Sequence, residues 1–323
     1  MSAPTLRRPS GLTWTVLRLH RTALYAWGAA LLTLVAALIW MHAIGPDARE
    51  AVGDCDASDF LADCGIIRET TADKIYSYGL DLAAIGLTYL MYPVAVWAGA
   101  ALIGRELESG TALLAWTQSV TPARWLAAKL AVPAVLLTAA ITPAVVLSDW
   151  ARRAGNGDLT GGWFNTNVYI STGPVAVAYA LAGLALGALA GLVLRRALPA
   201  AAVALAAAYV LHEVLDRFRM SLWPAETTTG RAALQFPHGA LVLEHGAVTG
   251  DGERLSTNMA CVGTDSAAAL GKCVERTGLT DFWTTYQPES HFWLLQLVES
   301  GLLLAVAGLA TAAAFALLRR RTP

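Results

Sequence analysis

Val175-Ala-Val-Ala-Tyr-Ala-Leu-Ala-Gly-Leu-Ala-Leu-Gly-Ala-Leu-Ala-Gly-Leu-Val-Leu-Arg-Arg-Ala-Leu-Pro-Ala-Ala-Ala-Val-Ala-Leu-Ala-Ala-Ala-Tyr-Val-Leu-His212 holds two apolar runs split by one basic pair, Arg195-Arg196. A hydrocarbon core about 30 Å thick takes roughly 20 apolar residues of helix to cross. Each run is of that order. The few residues between them leave room only for a tight helical hairpin bent at the arginines. Gly183, Gly187 and Gly191 recur at every fourth position of the first run. Such a strip lets another helix approach closely.

Four further runs of this kind follow from the rest of the chain. The six spans are about 24–44, 82–103, 126–147, 172–194, 198–215 and 292–318. The 323 residues are 56% hydrophobic and 15% charged, with a mean hydropathy of +0.50. A soluble domain usually carries about 25% charge. In lipid each span satisfies its own backbone, so the membrane part is expected to be all-α. The net charge of −1 excludes a nucleic-acid binder, which needs a basic surface. The apolar content excludes a disordered chain.

Orientation follows from Lys and Arg in the flanks. Residues 1–23, 104–129, 195–196 and 317–323 carry 12 of the 23 Lys and Arg, with only Glu106 and Glu108 as acids. The other side carries 11 Lys and Arg and 22 acids. Both termini are therefore expected in the cytoplasm. The loops at about 45–81, 148–171 and 216–291 are expected outside. The expected organisation is a cytoplasmic amphipathic segment 1–23, five spans over 24–215, an extracellular cap 216–291, and a sixth span with a basic tail, 292–323. The cap is expected to be small and partly helical. In the N-terminal segment Leu12, Val16, Leu19 and Ala23 share a helical face, while Arg18 and Arg21 project elsewhere. Trp14, Tyr25 and Trp27 suit an interface. No small-residue cleavage site follows Ile44, so the first run is an anchor rather than a signal.

Cys55 and Cys64 fall in the first outer loop, Cys261 and Cys273 in the last. On the oxidising side disulfides persist. Of three possible connectivities, the two local pairs 55–64 and 261–273 are favoured, each closing a short loop. A zinc site of all four thiolates would draw on two distant loops and lacks the usual CxxC spacing.

Between the second and third spans lies Gly104-Arg-Glu-Leu-Glu-Ser-Gly-Thr-Ala-Leu-Leu-Ala-Trp-Thr-Gln-Ser-Val-Thr-Pro-Ala-Arg-Trp-Leu-Ala-Ala-Lys129. Its residues predict one short amphipathic helix and then a turn. Leu107, Thr111 and Leu114 share one face; Glu106, Gly110, Leu113 and Thr117 share another. Thr121-Pro122 restarts helix, with Thr as N-cap and Pro at the first helical position.

This segment resembles the cytoplasmic signature of permease subunits of type 2 ABC exporters, the ABC-2 family. The matching positions are Glu106, Glu108, Gly110, Thr111, Leu113, Leu114, Thr117, Ser119, Thr121, Arg124 and Lys129. The Trp-Thr-Gln-Ser-Val-Thr-x-x-Arg-Trp form is similar to the family's actinobacterial branch. The usual proline after the Leu-rich turn is replaced by Gln118-Ser119. The resemblance implies that residues 104–125 are a coupling segment docking on a separate ATP-binding subunit. It carries Arg105, Glu106, Glu108, Gly110, Thr111, Leu113, Leu114 and Arg124. Glu106 and Glu108 would pair with basic groups there, Gly110 would allow close approach, and Leu113 and Leu114 would fill an apolar patch. It further implies a second permease copy or a related permease, and a place in the plasma membrane. ATP and Mg²⁺ would sit on the partner, with no cofactor on this chain.

Enzyme readings find little support. Ser266-Ala-Ala-Ala-Leu-Gly-Lys-Cys273 has Ser266 for the first glycine of a phosphate loop and Cys273 for the Mg²⁺-binding hydroxyl. His212-Glu213-Val-Leu-Asp216 is close to a zinc-protease helix, with Asp in place of the second His. His238, His245 or His291 would have to supply a third ligand, so no metal is expected. An intramembrane metal-dependent enzyme and a non-transporting sensor or assembly factor are the rival readings. Glu299 lies about two turns inside the sixth span beside Gln296 and Ser300. A carboxylate there lines or gates a polar path, or is satisfied by a neighbouring group. Pro93, Pro133 and Pro143 are expected to kink their helices.

Overall fold

The computed structural model of the chain describes residues 21–50, 71–118, 120–155, 160–230, 239–256 and 279–321, together with Ala233, Lys272 and Arg276. The N-terminal segment up to residue 20 and all four cysteines lie outside the described residues. So do Ser119, His238 and the 266–271 part of the phosphate-loop-like string.

The helices are α1 (Arg21–Glu50), α2 (Thr71–Thr88), α3 (Met91–Trp97), a π-helical turn (Ala98–Gly104), α4 (Arg105–Glu108) and α5 (Thr111–Thr117). After these come α6 (Pro122–Arg152), α7 (Thr166–Ser171), α8 (Val175–Leu194), α9 (Ala197–Phe218) and α10 (Phe292–Arg321). Among the described residues six stretches are long and apolar enough to cross a membrane: Tyr25–Ala48, Lys74–Glu108, Pro122–Arg152, Val175–Leu194, Ala197–Ser221 and Glu289–Arg321. The chain is a multi-pass membrane protein. The chain divides into two units, Met1–Asp216 with Gln296–Pro323, and Arg217–Leu295.

In the first unit α8 is the central helix. Of its most apolar window 67% is buried, against 17% for the first span. The reason is its glycines. A Cβ at Gly183 would sit 2.7 Å from the Met91 carbonyl oxygen, and one at Gly191 would sit 2.8 Å from the Ile103 Cβ. The strip therefore receives α3 and the π-helical turn, the second span of the same chain. Val94, Ala98, Leu102, Ile103, Leu184, Ala188 and Leu192 form one core with Trp125, Leu126, Ala314 and Leu318. A second core joins Leu38 and Met41 of α1 to Tyr76 and Leu80 of α2 and Ala151 of α6. Large apolar side chains stay exposed along the spans: Leu32, Leu82, Val135, Leu198 and Leu309. In water such a surface would drive association; in hydrocarbon it carries no such cost.

Pro93 acts one turn before its own position. It has no N–H to give the Tyr89 carbonyl. The helix breaks there, and Tyr92 N donates to Tyr89 O at 3.2 Å instead. Pro133 and Pro143 lie inside the uninterrupted α6.

The second unit corrects the all-α expectation. Residues 226–287 contain a four-stranded antiparallel sheet in the order β1-β4-β2-β3, and Lys272 and Arg276, between β3 and β4, are helical. The strands are β1 (Glu226–Thr229), β2 (Leu241–Thr249), β3 (Arg254–Ser256) and β4 (Leu279–Gln287). β4 reads Leu-Thr-Asp-Phe-Trp-Thr-Thr-Tyr-Gln, rich in threonine and aromatic residues that pack well on a pleated surface. β1 is three threonines after a glutamate, and Thr227 shares a 2.9 Å hydroxyl hydrogen bond with Thr285 of β4. Gly252 (φ 83°) supplies the turn between β2 and β3. Register slips between Val242 and Glu244 and between Val248 and Thr249 break the period-2 alternation in β2. The strand pattern is correspondingly weak in the sequence. Gln287 closes the unit: its side-chain amide donates to Met220 O at 2.9 Å and Trp223 O at 2.8 Å.

Candidate functional site

The site is built where the second span ends. Small residues make the π-helical turn possible against its neighbours: a Cβ at Gly99 would lie 3.0 Å from Ala200 O, and one at Gly104 would lie 3.1 Å from Ala197 Cα. The turn therefore lies against α8 and the start of α9. It feeds directly into α4, which carries Glu106 and Glu108.

The single amphipathic helix expected here is two helices. Gly110 adopts φ 73°, ψ 2°, a left-handed conformation that L side chains avoid, and α5 starts anew after it. A Cβ at Gly110 would meet nothing within 4 Å. The glycine is thus needed here for its backbone conformation, not for space inside the chain. Thr111 reinforces the bend by donating its hydroxyl to Glu106 O at 3.2 Å, and Ser109 and Thr111 share a hydroxyl contact at 3.0 Å.

On α5 the faces separate sharply. Ala112 is buried, whereas Leu113 and Leu114 are 60% and 62% exposed. The Trp116 ring meets Trp125 of α6 edge-on, with centroids 5.7 Å apart. Thr121 caps α6 by accepting from Arg124 N at 3.4 Å, with Pro122 at the first helical position, as the sequence predicts. Arg105 and Arg124 are exposed.

Both acids of the segment find partners within the chain. Glu106 forms an ion pair with Lys129 through Oε1. Its Oε2 accepts from Trp125 Nε1 at 3.2 Å. Glu108 Oε2 accepts from the backbone N–H of Ala197 at 2.9 Å, at the first residue of α9. Lys129 was visible in the sequence as the end of the motif. Its pairing with Glu106 was signalled only by the rule that a lysine inside a span seeks a carboxylate. The Trp125 and Ala197 contacts had no sequence signal.

A second buried constellation lies where α7, α8 and α10 meet. Gln296 and Glu299 are fully buried. The Gln296 carbonyl accepts from Val175 N at 3.2 Å, and its amide donates to Tyr169 O at 2.6 Å. Gln296 thus satisfies the backbone that the break between α7 and α8 leaves open. Glu299 accepts from the Tyr179 hydroxyl at 2.7 Å. His212 is buried with its ring 5.4 Å from Tyr179 and 5.9 Å from both Tyr89 and Tyr92. Asp216 accepts from the Thr166 hydroxyl at 2.7 Å. No group of three or more His, Cys, Asp or Glu able to hold a metal occurs among the described residues. A cavity of about 450 Å³ between α1, α2, α3 and α6 has no charged side chain in its lining.

The family described as ABC-2 membrane transporter related matches residues 28–219. This is more than half of the chain and takes in every element from the first span to α9, the α4–α5 segment included. No curated protein and no solved structure matches the chain.

Proposed function

This chain belongs to the ABC-2 membrane transporter related family, and from that premise we propose that it is the membrane-spanning subunit of an ATP-driven exporter. Two copies, or one copy and a related permease, enclose the path. ATP and Mg²⁺ bind on separate cytoplasmic subunits, which close together on binding and open after hydrolysis. The α4–α5 segment docks on one of them and passes that motion to the spans. The two positions of the segment favour different arrangements of the helices, which is the differential contact that alternating access requires. Both termini face the cytoplasm of a cell whose plasma membrane the chain spans, and the unit of Arg217–Leu295 lies outside. This orientation is supported by the 12 Lys and Arg that gather on the α4–α5 side.

The observation that carries the reading is the exposure of Leu113 and Leu114. Two adjacent leucines stand out at 60% and 62% on a seven-residue helix at a span's end. Arg105 and Arg124, at the two ends of the same segment in the sequence, are also exposed. An exposed apolar pair on a short helix between two spans suits a groove on a partner better than water.

Leu113→Asp with Leu114→Asp tests it. The double variant is expected to reach the membrane as the wild type does but to lose co-purification with the ATP-binding subunit. Undiminished co-purification would overturn the docking assignment.

A further inference from the structure

Glu106 and Glu108 stand two residues apart on α4, and each carboxylate is engaged inside the chain by a different span. We propose that these two acids are the tethers that carry a displacement of α5 into the third and fifth spans, and not the contacts that hold the ATP-binding subunit. The inference rests on the exporter reading and assigns the residues that make its docking segment work.

The Glu106 tether ends in a buried place. Lys129 lies two turns inside α6 with its side chain 5% exposed, and the Glu106 side chain is 16% exposed. An ammonium at that depth needs a counter-charge, and Glu106 is the partner it has. The second oxygen of the same carboxylate is held by the Trp125 indole at 3.2 Å, one turn nearer the start of α6. Both oxygens therefore point at one helix. The edge-on packing of Trp116 on Trp125 adds α5 itself to that contact.

The Glu108 tether ends on a helix terminus. The first N–H groups of a helix have no partner within it. Glu108 accepts one of them, Ala197 N, at 2.9 Å, and a carboxylate suits the positive end of α9. Arg195 holds the hairpin bend beside it in a left-handed conformation, φ 55°. The joint between α8 and α9 is thus fixed to the segment by one charge-assisted hydrogen bond.

Between the tethers and the docking face there is little slack. Thr111 donates to Glu106 O across the Gly110 bend, and Ala112 is buried while Leu113 and Leu114 face out. Coupling needs a contiguous connection with two arrangements. Docking through the leucines and tethering through the acids divide those tasks between separate side chains.

The test uses the full chain with its ATP-binding subunit in lipid nanodiscs. Backbone hydrogen exchange is compared between the nucleotide-free and the ATP–vanadate-trapped states. In the wild type, exchange at residues 196–204 and 125–132 is expected to differ between the two states. In Glu108→Gln the difference at 196–204 is expected to be lost, and in Glu106→Gln the difference at 125–132. Both variants are expected to keep the ATP-binding subunit. The exchanged pair Glu106→Lys with Lys129→Glu keeps opposite charges in place and is expected to restore the response at 125–132, which also covers a Glu106→Gln chain that fails to fold.

Wild-type response in the single variants would overturn the proposal. So would an unresponsive wild-type complex, or loss of the ATP-binding subunit in Glu108→Gln and in the exchanged pair, since acids that contact the partner would give that loss. A wild-type chain that binds no ATP-binding subunit at all would instead overturn the exporter reading.

Discussion

The Tyr179 hydroxyl donates to Glu299 Oε1 at 2.7 Å, joining α8 to α10 through two buried side chains 120 residues apart in the sequence. Glu299 sits two turns along α10, buried beside Gln296 and Ser300. A carboxylate in such a place is expensive unless donors surround it. Tyr179 is one of those donors, and its ring also lies against His212.

Tyr179→Phe removes that donor and changes nothing else of the shape. The variant is expected to lose about 1–3 kcal/mol of stability, the cost of a buried acceptor deprived of a hydrogen bond. Glu299→Gln is expected to lose less, because an amide oxygen still accepts from the hydroxyl. Thermal unfolding in detergent reads both. A Tyr179→Phe chain that melts with the wild type would show that the bond contributes nothing.

Gly187 separates packing from propensity. A Cβ there would sit 2.8 Å from the Ala98 Cβ and 3.0 Å from Gly99 N, so the second span would have to move. Gly187→Ala is expected to cost about 1–3 kcal/mol as overpacking. Gly308, with nothing within 4 Å of an added Cβ, is the control. Gly308→Ala is expected to be neutral or slightly stabilising, since alanine is the better helix former. Equal melting of the two variants would contradict the close approach.

Lys129→Met leaves the Glu106 carboxylate without its counter-charge. Breaking a largely buried pair from one side is expected to cost about 3 kcal/mol. Adding Glu106→Gln to Lys129→Met is expected to recover part of that loss, because the remaining partner is then neutral. A double-mutant cycle on melting temperatures measures the coupling. Strictly additive losses would mean that the two side chains do not interact.

Gly110 is held in the left-handed region with open space around it. Gly110→Ala is therefore expected to cost about 1 kcal/mol through backbone conformation alone. Gly110→Asn, which tolerates that conformation better, is expected to fall between alanine and the wild type. Gly110→Val is expected to be the worst of the three. Exchange protection of α5 orders the series, and a different order would place the origin of the effect in side-chain contacts.

What the sequence determined is what composition and short spacing determine. Six runs of apolar residues gave the spans, because crossing a membrane is a property of about 20 consecutive residues. Thr121 and Pro122 gave the start of α6, because a cap acts over three residues. The acid-x-acid-x-Gly-Thr signature located the segment between the second and third spans. Tertiary structure decided whatever depended on distant residues. The glycine strip of α8 was legible, but its partner at Met91–Ile103 was not, because small residues invite any helix alike. The sheet in 226–287 leaves little trace in the sequence, because bulges interrupt its alternation and β1 pairs with β4 across nearly 60 residues. The split of the amphipathic segment turned on the left-handed Gly110, which a face count at helical spacing does not register. In the sequence, the resemblance assigns Glu106 and Glu108 to basic groups of a partner subunit. The fold gave Glu106 to Lys129 and Trp125, about 20 residues on, and Glu108 to Ala197, 89 residues on, because only packing brings the ends of three spans to one point.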